Sequence, residues 1–212
     1  MDLRLLQRFR AALDARHLPS TQTAAYVGWE AATGTIIVSF RGTVTPLEWL
    51  EDFDLTLVPL PASLNASCPA CLVAQGFFYL AYYGLRGQMH AAIARMPSPA
   101  APIALTGHSL GAILAEYAAF ELANVVSCTT FGTPRGGNAA WAAAWAAAAP
   151  PTAFRVVHAA DPVPHLPPLI FDYVHAPCVV FLPHLRASAP PLHLTPRLCA
   201  SPPQARGLVR QK

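Results

Sequence analysis

Leu105-Thr106-Gly107-His108-Ser109-Leu110-Gly111-Ala112 is the stretch on which the reading of this chain turns. It is a G-x-S-x-G pentapeptide set between a short apolar run, Ile103 to Thr106, and a helix-forming run, Ala112 to Leu122. A strand before and a helix after are the context that separates a nucleophile elbow from a chance match. Glycines at 107 and 111 remove two β-carbons, so strand and helix can meet in a sharp, close-packed turn. Such a turn lifts the Ser109 hydroxyl to the carboxyl edge of a sheet, where a base can take its proton. The N–H of Leu110, at the helix start, would then face the oxyanion that develops on attack. The pattern points to a serine hydrolase.

Outward from the elbow, the chain alternates strands and helices. Ala24 to Glu30 and Thr35 to Phe40 read as two strands joined at Thr33-Gly34, and Gly76 to Met96 as a helix ending before Pro97. Beyond the elbow follow a strand at Val125 to Phe131, an alanine-rich helix at Asn138 to Ala149 and a strand at Phe154 to His158. This alternation implies an α/β fold with a largely parallel sheet covered on both faces. In such sheets the active site lies at the carboxyl ends of the strands, and three motifs fall there, after Phe40, Thr106 and His158. Residues 1–23 read as a front helix (Asp2 to Arg16, with Leu3, Leu6 and Leu13 on its apolar side) and a linker. Residues 24–182 are expected to form the α/β domain, with Tyr173 to Leu182 as one more strand. Residues 183–212 are rich in Pro, Ala, Ser and Arg without periodicity and read as an irregular or disordered tail, a composition that a mis-spliced or frame-shifted end would also produce.

Composition narrows the function classes. With 212 residues, 54% of them apolar and 12% charged, the chain can build one domain with a substantial core. Its formal charge of +3 is scattered, with no basic stripe interleaved with aromatics, which argues against nucleic acid as a partner. No apolar run reaches the ~18 residues of a membrane-spanning helix. Arginines and Asp14 interrupt the front of the chain where a secretory signal would carry its apolar core, so a chain starting at Met1 is expected in the cytoplasm. Among five cysteines, Cys68-Pro69-Ala70-Cys71 lacks a second pair at zinc-ligand spacing. A small loop disulfide is the expectation there, and with it an oxidising compartment; Cys128 reads as a core residue.

Four segments, in this order and spacing, resemble the fungal-type (class 3) lipase family of α/β-hydrolases, over about residues 24–182. They are Ile37-Val38-Ser39-Phe40-Arg41-Gly42-Thr43, Thr106 to Ala112, Phe131-Gly132-Thr133-Pro134-Arg135-Gly136-Gly137-Asn138, and Arg155 to Pro168. Asp161 has a reading of its own: it follows a strand, in the Ser…Asp order of these hydrolases, where a carboxylate can orient a histidine. An Asx turn before Pro162 is the competing reading. The resemblance makes Asp161 the triad acid. It also implies a second oxyanion donor at Thr43, and a lid over Thr45 to Asp54 whose Leu47, Trp49 and Leu50 form the apolar side. The same ten residues also read as an ordinary surface helix. The resemblance further implies a secreted, monomeric enzyme without metal or organic cofactor, meeting an acylglycerol or other ester at a lipid–water interface.

Two departures from that pattern stand out. Ala74 occupies a place where the family usually has a histidine. The catalytic histidine must come from beyond Asp161, where His165, His175, His184 and His193 are available, and in the family it stands farther beyond the aspartate than this tail extends. His158 and His165 read as structural, and His175 matches a non-catalytic histidine of the family. His193, late enough in the chain to fold back to the strand edge, is the expected base, with His184 second; each also reads as a solvent-exposed loop histidine. The expected function is a serine carboxylic ester hydrolase, a triacylglycerol lipase, forming an acyl-enzyme at Ser109. The alternatives are a feruloyl or other carboxylesterase, and a lipase-like protein that lacks a proper histidine and binds lipid without turnover.

Overall fold

The computed structural model describes residues 7–10, 23–42, 54–65, 67–177 and 179–182. Its centre is a seven-stranded sheet of β1 (Gln7–Arg10), β2 (Ala24–Glu30), β3 (Thr35–Phe40), β6 (Ile103–His108), β7 (Val125–Phe131), β8 (Thr152–His158) and β9 (Val179–Leu182), in that spatial order. The first two pairs are antiparallel and the four from β3 to β9 are parallel. β4 (Leu57–Pro59) and β5 (Leu72–Ala74) pair separately. The α/β-hydrolase architecture expected from the motif order is the one observed.

Local chemistry accounts for these elements. In β3 the burial alternates strictly, with Ile36, Val38 and Phe40 inward, and the opposite row half-buried. β2 and β3 are joined by the turn residues Ala31 to Gly34, where Gly34 takes φ 64°. The helix expected over Gly76 to Met96 begins as a π-helix, Gly76–Tyr82, and continues as α1, Tyr83–Ile93. α2 (Leu110–Glu121) packs on β3, β6 and β7, and ten of its twelve residues are buried. α3 (Ala139–Ala148) starts at Asn138, whose side chain accepts the Trp141 N–H at 2.9 Å. Trp141 and Trp145 supply most of the apolar bulk of this alanine-rich helix; Trp141 packs against Tyr117, which meets Phe78 edge-on.

Two expectations are corrected. Gln7–Arg10, expected within a front helix, is a strand paired with β2, because backbone pairing along the β2 edge outweighs a weak helical pattern. Tyr173 to Leu182 is not one strand. Only Val179–Leu182 joins the sheet, while Val174 bridges Gly137, its N–H donating to the Gly137 carbonyl at 2.8 Å. The Cys68–Cys71 disulfide is present, with Cα atoms 5.4 Å apart, and Cys128 is a free, buried core thiol. Among the described residues no helix is long and apolar enough to cross a membrane.

Candidate active site

β6, β7 and β8 each end in an exposed residue, His108, Phe131 and His158, at the same edge of the sheet. Ser109 follows β6 with φ 55° and ψ −124°, a conformation an L-residue adopts only at a cost of about 1–3 kcal/mol. The surroundings enforce it. A β-carbon on Gly107 would overlap the Gly111 carbonyl, and one on Gly111 would overlap the Phe40 carbonyl, so the first turn of α2 sits directly on β6 and β3. The Ser109 N–H donates to Phe131 O at 2.9 Å, and its carbonyl accepts from Ala112 at 2.9 Å as the helix begins. Its Oγ is buried and has no hydrogen-bond partner among the described residues. Leu110 is the first residue of α2, so its N–H has no acceptor within the helix. A β-carbon on Gly42 would stand 3.5 Å from Ser109 Cβ, which puts the end of the β3 motif against the nucleophile candidate.

Asp161 reaches the same place from β8. Gly132, one residue beyond the Phe131 carbonyl that holds Ser109, takes φ 57° and donates its N–H to Val156 O at 2.9 Å. A β-carbon there would stand 2.7 Å from Asp161 Oδ2 and 3.5 Å from His108 Nε2. The carboxylate and the elbow are thus separated by a single backbone step. The other carboxylate oxygen, Oδ1, accepts the Val163 N–H at 3.0 Å. The Asx turn is therefore present, made by Oδ1, and it leaves Oδ2 beside Gly132 at the strand ends.

The loop after Asp161 is held by buried charge. Arg135, 8% exposed, donates from Nη1 to the carbonyls of His165 and Pro167, the latter at 2.7 Å. Burial lowers its pKa. His175 bonds through Nε2 to the Pro164 carbonyl, which can only accept, so that nitrogen carries the proton. Burial, then the charge of Arg155, push the His175 pKa down to about 3, so the ring is neutral at physiological pH. Beneath them Glu116, buried in α2, has its carboxyl pushed up to about 8 by burial, with Arg155 pulling the other way.

Of the residues singled out in the sequence, Ser109, Leu110 and Asp161 come together at this edge. Thr43, the lid residues Leu47, Trp49 and Leu50, and the base candidates His184 and His193 lie outside the described residues. His165 is exposed, and His175 serves a backbone carbonyl. Ala74 is buried in β5, its N–H donating to Gly136 O at 3.0 Å. The placement of His108 near Asp161 has no sequence signal, since it depends on how β7 crosses between them.

Comparison with known proteins gives the family and the fold. Residues 37–171 match the family model Lipase (class 3). A secreted mono- and diacylglycerol lipase of Fusarium solani is 33% identical over 160 residues, covering 73% of this chain and 46% of that protein. A chloroplastic phospholipase A(1), DAD1, of Arabidopsis thaliana is 38% identical over 121 residues, 49% of this chain and 27% of the relative. The chain thus spans half or less of the length of these curated relatives. Among solved structures, the Rhizomucor miehei triacylglyceride lipase superposes with a TM-score of 0.66 at 27% identity, covering 78% of this chain and 63% of that one. A triacylglycerol lipase whose catalytic centre is described as a serine protease triad superposes with a TM-score of 0.65 at 28% identity, covering 81% and 66%.

Proposed function

Because the chain belongs to the class 3 lipase family, we propose that it hydrolyses carboxylic esters of acylglycerols, triacylglycerol among them, through an acyl-enzyme at Ser109. The observation that carries this reading is the strained, buried Ser109 one backbone step from the Asp161 carboxylate. Ser109 Oγ attacks the ester carbonyl as a histidine, His193, takes its proton. That histidine then protonates the leaving alcohol, and the serine ester remains. Asp161 orients the base and stabilises the imidazolium. The N–H groups of Leu110 and Thr43 hold the oxyanion, each donor being worth about 10²–10³ in rate. Water, deprotonated by the same histidine, releases the fatty acid and restores Ser109.

Thr45 to Asp54 is the lid in this reading: its Leu47, Trp49 and Leu50 cover the cleft in water and turn to the lipid at an interface. The secreted fungal relatives support secretion. The test is turnover of p-nitrophenyl butyrate, p-nitrophenyl palmitate and dispersed triolein by the purified chain, beside Ser109→Ala and His193→Ala. Turnover that both substitutions abolish supports the proposal. Equal turnover by wild type and Ser109→Ala, or none by either, overturns it. An undiminished rate for His193→Ala removes that histidine as the base.

A further inference from the structure

The segment after Asp161 reads Asp161-Pro162-Val163-Pro164-His165-Leu166-Pro167-Pro168. Proline has no N–H, so beyond Asp161 only the backbones of Val163, His165 and Leu166 can donate. All three donate inward: Val163 to Asp161 Oδ1 at 3.0 Å, His165 to Pro162 O at 2.9 Å and Leu166 to Val163 O at 3.0 Å. The loop therefore has no backbone donor left to fasten it to the rest of the molecule. Its carbonyls must be held from outside or left to water.

Two residues hold four of them in succession. Pro164 O accepts from His175 Nε2, and His165 O from Arg135 Nη1. Leu166 O accepts the Arg135 backbone N–H at 2.7 Å, and Pro167 O accepts from Arg135 Nη1 at 2.7 Å. Arg135 and His175 are themselves tied together, because Val174 N–H donates to Gly137 O at 2.8 Å. Arg135 lies three residues beyond Gly132, where a β-carbon would stand 2.7 Å from Asp161 Oδ2. One end of this frame thus lies beside the carboxylate, and the other meets the loop whose Val163 N–H fixes Oδ1. Burying a guanidinium is costly unless its N–H groups find acceptors; here two carbonyls take Nη1, while Nε is buried without a partner among the described residues.

We propose that Arg135 and His175 are positioning residues that clamp the carbonyls of Pro164 to Pro167 and thereby hold the Asp161 carboxylate in register with Ser109. The inference rests on the reading of Asp161 as the triad acid. One side-chain nitrogen of Arg135 serves two carbonyls while its backbone N–H serves a third, so truncating the side chain removes two of the three bonds. Histidine at 175 is required only as an N–H donor, so an amide should replace it.

The test is a double-mutant cycle in the full chain, read by ester turnover and by amide hydrogen exchange. Arg135→Ala should lower kcat by about 10²-fold with KM nearly unchanged, as a misplacement of about 1 Å does, and Arg135→Lys should fall between. In an Asp161→Ala background the same substitution should cost less than about threefold, because the group it positions is gone. The Val163 and Leu166 amides should exchange at least about tenfold faster in Arg135→Ala, while amides of β6 and α2 stay protected. His175→Leu should behave like Arg135→Ala, and His175→Gln should restore most of the rate; this pair carries the test if Arg135→Ala does not fold. Equal losses of kcat in both backgrounds, or unchanged Val163 exchange in a folded variant, would overturn the clamp. If Asp161→Ala itself retains full rate, the role of Asp161 fails, while the exchange data still judge the clamp by themselves.

Discussion

Gly132→Ala separates the chemistry of this site from its folding. Gly132 has φ 57°, so any L-residue there strains the backbone by about 1–2 kcal/mol. In addition its new β-carbon would stand 2.7 Å from Asp161 Oδ2, against an ordinary carbon–oxygen approach of about 3.3 Å. The carboxylate must therefore retreat by roughly half an ångström or more, and the loss expected is about 10–10²-fold in kcat. Gly34→Ala is the matched control. Gly34 has φ 64° in the β2–β3 turn, and its β-carbon would find nothing nearer than Trp29 Cη2 at 3.9 Å. Both variants should lose roughly 2–8 °C in Tm, from the shared backbone strain. Only Gly132→Ala should lose rate, measured as initial velocity on p-nitrophenyl butyrate under saturating conditions. A Gly132→Ala enzyme whose kcat stays within twofold of Gly34→Ala would refute the claim that Asp161 must sit where it is seen.

Stability should depend on pH in two opposed ways. Glu116 keeps its proton in the folded protein up to about 8, whereas the unfolded chain sheds it near 4.5, so folding weakens as pH rises across that window. Relative to wild type, Glu116→Gln should therefore gain on the order of 4 kcal/mol between pH 5 and pH 8 in urea denaturation; a flat difference would remove the buried-carboxyl argument. His175 acts with the other sign: the unfolded chain takes up a proton below about 6.5 that the folded ring refuses until about 3, so stability is lost as pH falls through that range. His175→Gln should flatten this acid limb, and an unaltered limb would show that the ring is not held neutral. Removing the disulfide with Cys68→Ser and Cys71→Ser should cost about 2 kcal/mol, since the bridge closes a very short loop. Turnover should survive at 25 °C, and its loss in a folded variant would place the bridge in the site's support.

What could be read in the sequence was local, and what could not was remote. The elbow is legible because Gly107 and Gly111 act on neighbours within a few residues, and the β2–β3 hairpin is legible because alternation and Gly34 specify it in place. Gln7–Arg10 is a strand only because β2 offers an open edge, a fact no window around Gln7 contains. Tyr173 to Leu182 reads as one apolar strand, yet its first part is drawn off by the bridge from Val174 to Gly137 and by the bond from His175 to Pro164. Asp161 carries its own signal after a strand. Its nearness to Gly132 and His108 arises only when the strand ends converge. Arg135 sits in a motif that marks the family, while its task is visible only in the set of carbonyls it satisfies.

Active-site labelling of Ser109 tests the central claim most directly. Wild-type chain treated with a fluorophosphonate should gain one phosphonyl group, mapped by peptide mass spectrometry to the peptide containing Gly107 to Gly111, with the modification on Ser109. Labelling should be strongly slowed in Asp161→Asn and absent in Ser109→Ala. A folded wild-type chain that takes no label, or takes it on another residue, would contradict the account.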